Sequence, residues 1–138
     1  MADPLWTATE IARATQGTVA DEFSVSGLSI DSRSLQAGDL FIALKDIRDG
    51  HDFVADAFAA GASAALVSQN IEAGPGVVVE DVQRALEQLG LAARDRASAC
   101  YRVAVTGSVG KTSIKEMLAR MFRARGPAHC NVKSFNNH

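Results

Sequence analysis

The hydrophobic positions along the chain change repeatedly between helical and extended spacing. The first helical segment covers residues 8–16, where apolar side chains, Ile11 among them, recur on one face. It follows Thr7, which together with Glu10 forms the Thr-x-x-Glu pattern of a capping box. The pattern therefore predicts a short helix that begins after Thr7 and ends at Gly17.

Four short segments have the composition of β-strands. Residues 25–30 alternate apolar and small polar side chains, whereas residues 39–44 form a denser apolar run. Residues 64–67 and 77–79 are brief runs of alanine, leucine and valine, each preceded by glycine-containing turns. We predict a strand in each of these segments.

Three further segments are predicted to be helical. Residues 52–60 and 82–97 each carry recurring apolar positions, and residues 111–124 are predicted to form a helix after a strand at 103–105. Helical and extended segments therefore alternate along the whole chain. This alternation predicts an α/β fold rather than a helical bundle or a β-sandwich.

The segment from residue 103 to residue 112 carries the most specific chemistry; it reads Val-Ala-Val-Thr-Gly-Ser-Val-Gly-Lys-Thr. We predict a buried strand that leads through a glycine loop into a helix, so that backbone N–H groups and the positive end of the helix dipole face phosphate oxygens. Lys111 would neutralise the β- and γ-phosphates, and Thr112 would offer a hydroxyl ligand to Mg²⁺. The predicted ATP-binding residues are Gly107, Ser108, Val109, Gly110, Lys111, Thr112 and Ser113.

This loop departs from the general pattern G-x-x-x-x-G-K-[ST] at one position, because Val105 stands where the first glycine belongs. The match is therefore to a shorter loop. The alternative interpretation is a strand-to-helix turn whose glycines serve only close packing, with Lys111 as a solvated side chain. The predicted strand, turn and helix around the loop favour nucleotide binding.

Composition and charge narrow the class of protein. The 138 residues are 47% hydrophobic and 22% charged, as is usual for globular proteins. A net charge of −2 and an isoelectric point near 5.9 argue against nucleic acid as a partner. Cys100 and Cys130 lie far apart in the sequence, without the spacing of a metal or redox motif. The N-terminus lacks the positive and apolar regions of a signal peptide. No apolar run reaches the length of a membrane span, about 18 residues. We therefore expect a soluble, cytoplasmic protein with reduced cysteines.

The position of the phosphate loop predicts two domains. The loop opens only at residue 107, whereas in nucleotide-binding α/β domains it usually follows the first strand. We therefore place a boundary near residues 98–101, with a complete domain at 1–99 and the beginning of an ATP-binding domain at 100–138. Because a parallel sheet must be covered on both faces, fewer than about 40 residues cannot close such a domain, and we expect it to be truncated at His138.

The phosphate loop and the residues after it resemble a known family. Three groups of residues are similar to the central ATP-binding domain of the Mur ligases in the MurF form: Thr106-Gly-Ser-Val-Gly-Lys-Thr-Ser113, Lys115-Glu-Met117 and Ser134-Phe-Asn-Asn-His138. MurE-type members more usually read Gly-Thr-Asn-Gly-Lys-Thr in the loop, so the resemblance favours the MurF branch.

The N-terminal part resembles the uridine-nucleotide-recognising domain that the MurE and MurF branches share. Four groups of residues carry this likeness: Asp31-Ser-Arg33, Gly38-Asp-Leu-Phe-Ile-Ala-Leu44, Asp49-Gly-His51 with Phe53, and Gly61-Ala62. The resemblance therefore covers nearly the whole chain.

The resemblance implies a three-domain protein, with one domain for the UDP-sugar peptide, one for ATP and a third for the incoming amine. The implied reaction is ATP-dependent ligation of D-alanyl-D-alanine to UDP-N-acetylmuramoyl-tripeptide through an acyl phosphate, in cytoplasmic peptidoglycan precursor synthesis. ATP and Mg²⁺ are the implied cofactors, and the two substrates are the implied partners; no protein partner is predicted. We expect a fragment of this length to be inactive by itself.

The resemblance also implies contacts with the substrate. Ser32 and Arg33 follow a predicted strand, and Arg33 could hold the diphosphate through paired hydrogen bonds, the alternative being a turn with a solvated arginine. His51 could contact the uracil or the sugar, or it could be structural. Asn136 and Asn137 lie in a segment that in the family is near the reacting peptide, where their amides could orient the substrate.

The loop before His51 departs from the family pattern. Residues 45–49 are one residue shorter than the usual run before Asp-Gly-His, and Asp46 stands where glycine is common. The resemblance therefore does not define the shape of this pocket loop.

Three other functions remain open on the sequence. One is a MurE-type ligase, which would add the third-position amino acid to a UDP-dipeptide. Another is a non-catalytic UDP-sugar-binding module with a vestigial phosphate loop. A generic nucleotide-triphosphate switch is disfavoured, because residues 1–100 form a module of their own before the loop.

Overall fold

The computed structural model describes residues 3–131. The chain divides into two compact units, Met1–Ser98 and Ala99–His138. This division is one residue from the boundary expected from the sequence, between residues 99 and 100. The functions assigned to the two parts stay predictions.

The first unit is a mixed α/β structure built from short elements. Its strands are β1 (Trp6–Thr7), β2 (Thr18–Val19), β3 (Ser24–Val25), β4 (Gly27–Ser29), β5 (Asp39–Ile42), β6 (Ala64–Val67) and β7 (Gly76–Val78). Its α-helices are α1 (Ala8–Thr15), α2 (Val54–Ala59) and α3 (Val82–Arg96), and a single 3₁₀ turn at Gly50–Phe53 precedes α2.

Five strands form one sheet in the order β2-β7-β6-β5-β4. The four strands from β4 to β7 run parallel to one another, and β2 pairs antiparallel with β7 at one edge. The register places Leu40 of β5 between Leu28 of β4 and Ala64 of β6. Strands β1 and β3 form a separate antiparallel pair.

The sheet is covered on both faces, which explains why β5 and β6 are unbroken apolar runs. Successive side chains of a strand point to opposite faces. Leu40 and Ile42 accordingly belong to a core shared with α1 and α3, whereas Phe41 between them packs with α2. The central strands are thus fixed by packing from both sides.

Helix α1 begins as its capping box predicts. The Thr7 hydroxyl accepts the Glu10 N–H at 3.3 Å, and the Glu10 carboxylate accepts the Thr7 N–H at 2.8 Å. The helix ends one residue earlier than expected, because Gln16, with φ of 57°, takes the left-handed position. Gly17 is needed for space instead, since a Cβ there would lie 2.7 Å from Val77 Cγ1.

Two other predicted segments are divided in the structure. The strand expected at 25–30 breaks at Ser26, whose N–H donates to the Gly38 carbonyl at 2.9 Å, so that β3 and β4 pair with different partners. The helix expected at 52–60 begins as the 3₁₀ turn Gly50–Phe53 and continues as α2. The remaining strands and helices of this unit are confirmed to within about two residues, the usual spread of such assignments.

The second unit has one helix among its described residues, α4 (Lys111–Arg123), as predicted. The prediction of a buried strand at 103–105 is wrong: this segment has no strand assignment, and half of the Val103 surface is exposed. The physical reason is that a strand needs a neighbour for its N–H and C=O groups, and no described residue pairs with this segment. The Tyr101 ring packs against Phe122 of α4, with 5.7 Å between the ring centroids.

Among residues 3–131, no helix has the length and apolar character that crossing a bilayer requires.

Gly50 offers a test of the loop that leads into α2. A Cβ at this position would lie 2.5 Å from the Leu44 oxygen and 2.7 Å from the Ala43 carbonyl carbon, and backbone atoms cannot rotate away. We expect Gly50→Ala to lower the free energy of unfolding by about 1–3 kcal/mol. Urea denaturation followed by circular dichroism measures this change.

Gly90 is the matched control. It lies within α3, and a Cβ there would meet nothing within 4 Å. Gly90→Ala should therefore raise the free energy of unfolding by about 0.5–1 kcal/mol. Equal midpoints for the Gly50→Ala variant and the unmodified protein would contradict the close packing of the loop.

Candidate functional site

The glycine loop before α4 has backbone conformations that glycine alone adopts readily, and it leads into an uncapped helix N-terminus. Gly107 and Gly110 have φ angles of 143° and 80°, which residues with side chains rarely adopt. Gly110 is also the N-cap of α4, and no side chain caps that end of the helix. The first turn of α4 contains no acidic residue. Its N–H groups and the positive end of the helix dipole are therefore available to an anion.

The Lys111 side chain folds back over this loop. Its Nζ donates to the Gly107 carbonyl at 2.5 Å, so the ammonium group lies against the loop backbone. Thr112 and Ser113 follow in the exposed first turn of the helix. The predicted cation and hydroxyls thus lie at the N-terminal end of α4, whereas the strand expected before the loop is absent among the described residues, so the assignment of a phosphate site stays a prediction.

Helix α4 is tied to the segment that follows it. Lys115 Nζ donates to the Asn131 carbonyl at 2.7 Å and lies 3.6 Å from Glu116 Oε1. The candidate substrate-orienting residues Asn136 and Asn137 lie outside the described residues, so their assignment stays a prediction.

The candidate UDP contacts lie at one edge of the sheet in the first unit. Ser32 and Arg33 follow β4, and His51 lies in the segment that follows β5. Because β4, β5 and β6 are parallel neighbours, their carboxyl ends meet at the same edge. Ligands of open α/β sheets bind outside the carboxyl ends of the strands. The topology therefore places the segments that carry Ser32, Arg33 and His51 at the same edge, although almost twenty positions separate them in the sequence.

Arg33 is already paired within its own turn. Its Nε and Nη2 atoms donate to the two carboxylate oxygens of Asp31 at 2.9 and 2.7 Å, and these hydrogen bonds raise the pKa of Arg33. The side chain is 88% exposed, so the pair is weak and easily exchanged. A guanidinium group has five N–H donors, which leaves donors for a phosphate.

The His51 ring is held from both sides. Its Nδ1 lies 2.6 Å from Asp49 Oδ1, and its Nε2 accepts the backbone N–H of Ser68 at 2.9 Å. Only 6% of the side chain is exposed. These contacts support the structural interpretation of His51 that the sequence left open.

Asp49 is the charged end of this network. It accepts the N–H of His51 at 3.0 Å, and Lys45 Nζ lies 3.4 Å from its other oxygen. The hydrogen bonds from the backbone and the ring of His51 lower the pKa of Asp49 to about 2. The carboxylate is therefore ionised at any physiological pH.

Ser68, His51 and Asp49 together have the order of a Ser-His-Asp triad, since Ser68 Oγ lies 3.3 Å from His51 Nε2. A catalytic histidine must accept the serine proton on its Nε2 lone pair. In this structure the Ser68 backbone N–H occupies that lone pair at the shorter distance of 2.9 Å. The arrangement is therefore a cross-link between two loops and not an activated nucleophile.

Sequence reasoning missed Ser68 and the role of Asp49. Ser68 is seventeen positions from His51 and follows β6, so only the pairing of β5 with β6 brings it to the histidine. The one available signal was its place directly after a predicted strand.

The chain matches the family model described as "Mur ligase family, catalytic domain" over residues 24–106. This match covers more than half of the 138 residues. The chain belongs to the Mur ligase family. The matched region ends at Thr106, directly before the glycine loop.

Named relatives of this Mur ligase chain fall into two groups. A UDP-N-acetylmuramoyl-tripeptide--D-alanyl-D-alanine ligase of Rickettsia prowazekii is 32% identical over 137 residues, which is 97% of this chain and 30% of the relative. A UDP-N-acetylmuramoyl-L-alanyl-D-glutamate--2,6-diaminopimelate ligase of a Chelativorans species is 35% identical over 119 residues, 84% of this chain and 25% of the relative. The chain thus spans less than a third of the length of the relatives it matches.

Solved structures show the same likeness. A crystal structure of MurF from Acinetobacter baumannii is 37% identical, with a TM-score of 0.78 over 91% of this chain and 28% of that one. The MurF ligase of Thermotoga maritima in complex with ADP is 30% identical, with a TM-score of 0.52 over 71% of this chain and 23% of that one. The α/β fold expected from the sequence is therefore confirmed.

The low pKa of Asp49 predicts an acid-dependent loss of stability. Its ordinary value is 3.8 and its value in the fold is about 2, so the folded state resists protonation more than the unfolded chain does. The resulting stabilisation is fully present above about pH 4 and is lost as the pH falls through about 2.

Comparing Asp49→Asn with the unmodified protein by urea denaturation between pH 7 and pH 2 measures this contribution. We expect the variant to be less stable at pH 7 and the difference to shrink as the pH falls from about 4 to 2. A difference that is the same at every pH would show that the Asp49 charge does not stabilise the fold.

Proposed function

We propose that the protein carrying this chain is an ATP-dependent amide ligase of the MurF type. It would join D-alanyl-D-alanine to UDP-N-acetylmuramoyl-tripeptide in the cytoplasm, as a step in peptidoglycan precursor synthesis. The observation that supports this most is the likeness to MurF-named relatives and structures, which covers 97% of the chain for the Rickettsia relative and 91% for the Acinetobacter structure. Because the chain spans under a third of those relatives, these 138 residues alone are expected to be inactive.

The phosphate loop supplies the ATP site in this proposal. Gly107, Ser108, Val109 and Gly110 would offer backbone N–H groups, and the positive φ angles of the two glycines support that cradle. Lys111 would leave the Gly107 carbonyl and neutralise charge that develops on the transferred phosphoryl group. Positioning and charge neutralisation of this kind account for most catalysis of phosphoryl transfer.

Magnesium fits the same end of α4. The Thr112 hydroxyl lies in the exposed first turn, one residue after Lys111, which is the position of the metal-binding hydroxyl in phosphate loops. When bound, Mg²⁺ would neutralise phosphate charge. Ser113 is the other hydroxyl of this turn and would contact the nucleotide.

The proposed chemistry has two steps. The γ-phosphoryl group of ATP is transferred to the terminal carboxylate of the peptide, which gives an acyl phosphate and ADP. The amine of D-alanyl-D-alanine then attacks the acyl carbon, the amide bond forms, and inorganic phosphate leaves. The residues assigned here serve the first step, and Asn136 and Asn137 are proposed to orient the acceptor peptide.

The uridine nucleotide would bind at the carboxyl edge of the sheet in the first unit. Ser32 and Arg33 lie on the turn after β4, where the exposed Arg33 can exchange its Asp31 partner for a diphosphate. His51 stands beside this edge, with both ring nitrogens engaged within the chain. The site thus offers positive charge and hydrogen-bond donors to an anionic nucleotide.

Phosphate release tests the proposal directly. The protein is expressed from its complete reading frame and assayed with ATP, Mg²⁺ and UDP-N-acetylmuramoyl-tripeptide, before and after D-alanyl-D-alanine is added. Release that depends on the dipeptide supports the MurF-type function. Release only with a UDP-dipeptide and lysine or diaminopimelate would move the protein to the MurE branch, and no release in either assay would favour a binding module.

Lys111→Ala tests the role of the phosphate loop in that protein. Removal of the ammonium group should lower turnover by at least about 10²-fold, because charge on the transferred group is no longer neutralised. Affinity for the UDP substrate, measured by calorimetry, should change by no more than a few-fold, since that substrate binds elsewhere.

Arg123→Ala is the matched control for this variant. Arg123 is an exposed cation on the same helix, about 18 Å along the axis from Lys111. Turnover of this variant should be unchanged. Loss of turnover and of UDP-substrate affinity together in Lys111→Ala would show that Lys111 is mainly structural.

A further inference from the structure

Two loops at the carboxyl edge of the sheet are joined through one imidazole ring. The loop at 45–49 follows β5, and Ser68 follows the neighbouring strand β6. The His51 ring lies between them and contacts Asp49 at 2.6 Å and the Ser68 N–H at 2.9 Å. Movement of one loop relative to the other would break one of these two hydrogen bonds.

The partners of the His51 ring determine which ring nitrogen donates a hydrogen bond and which accepts one. A backbone N–H can only donate, so His51 Nε2 must carry the lone pair that accepts from Ser68. The other ring nitrogen is then the N–H group, and it donates to the ionised carboxylate of Asp49. Asp49 is thereby oriented by the same ring that orients Ser68.

The carboxylate also fixes the base of the loop. Lys45 and Asp49 form an isolated antiparallel bridge, and the Lys45 ammonium lies 3.4 Å from the Asp49 oxygen that the ring does not contact. The Gly50 N–H donates to the Leu44 carbonyl at 2.8 Å, which closes the loop against the end of β5. The tip of the loop takes no part in these hydrogen bonds, since Ile47 is 96% exposed.

We propose that Asp49, His51 and the Ser68 backbone amide form a brace that positions the loop at 45–49 for recognition of a uridine nucleotide. His51 is then a positioning residue that acts through the loop and does not itself contact the ligand. The proposal rests on the proposed function for the identity of the nucleotide and for its binding at this edge of the sheet. The brace itself stands on the contacts within the chain.

Two substitutions separate the two halves of the brace. In His51→Gln the side-chain oxygen can take the place of Nε2 and accept the Ser68 N–H, but the contact with Asp49 is lost. In His51→Asn the side-chain amide can take the place of Nδ1 and donate to Asp49, but it is too short to reach Ser68. Because residue 51 directly follows the loop in the chain, His51→Gln still joins the two loops through the Ser68 contact, whereas His51→Asn does not.

The test measures two quantities on the 138-residue chain. Hydrogen exchange at the Ser68 amide, followed by NMR, reports whether the brace is formed. Calorimetric titration with UDP reports affinity, and it is done in the Lys111→Ala background so that the phosphate loop does not capture the diphosphate. Thermal unfolding shows that each variant is folded at the temperature of the titration.

We expect His51→Asn to lose protection at the Ser68 amide and to weaken UDP binding by about tenfold, the effect of one lost hydrogen bond of about 1.4 kcal/mol. His51→Gln should keep the protection and bind UDP within about threefold of the parent chain, by the same relation. Equal UDP affinity of the parent chain and both variants would overturn the brace while leaving the proposed function intact.

Failure of the proposed function gives a different result. A parent chain that protects the Ser68 amide but does not bind UDP at millimolar concentration would exclude the uridine nucleotide and, with it, the role assigned to the brace.

In the complete protein, His51→Asn should raise the KM for the UDP substrate and leave kcat and the KM for ATP unchanged. A fall in kcat alone would contradict a positioning role.

Ser68→Ala distinguishes the brace from a catalytic triad. The variant keeps the backbone N–H and removes only the hydroxyl, so protection of the residue 68 amide and UDP affinity should both be retained. Hydrolysis of p-nitrophenyl acetate by the parent chain that is abolished in Ser68→Ala would overturn the proposal, because it would show that His51 Nε2 activates the hydroxyl.

Discussion

The parallel pairing of β4, β5, β6 and β7 is the constraint on which the rest of the first unit depends. Parallel strands must be covered on both faces, and α1 and α3 on one side and α2 on the other supply that cover. The same pairing places the loops after successive strands at a single edge. This pairing places Arg33, His51 and Ser68 at the same edge of the sheet, and no pattern in the sequence does so.

Much of this fold could be predicted from local patterns. The capping box at Thr7 and Glu10 defined the start of α1, and the apolar runs in β5 and β6 marked the strands that are buried on both faces. The prediction of a strand at 103–105 was wrong because apolar, β-branched composition does not supply a pairing partner. Composition indicates that a segment can be a strand, whereas neighbouring strands decide whether it is one.

The two candidate sites differ in how far the sequence alone indicates them. The phosphate loop stays a prediction that rests on consecutive residues, and the positive φ angles of Gly107 and Gly110 are consistent with it. The network of Asp49, His51 and Ser68 could not be predicted, because its last member is brought in by strand pairing over seventeen positions. The sequence left open whether His51 contacts a ligand or is structural, and the two hydrogen bonds to its ring favour the structural role.

We propose that the chain carries two separate nucleotide sites, one for a uridine nucleotide and one for ATP. NMR titration of the isotopically labelled chain with UDP and, separately, with ADP tests it most directly. UDP should shift the backbone amide signals of residues 31–33, 45–51 and 68, and ADP should shift those of residues 107–113. Shifts from UDP that are confined to residues 107–113 would contradict this proposal.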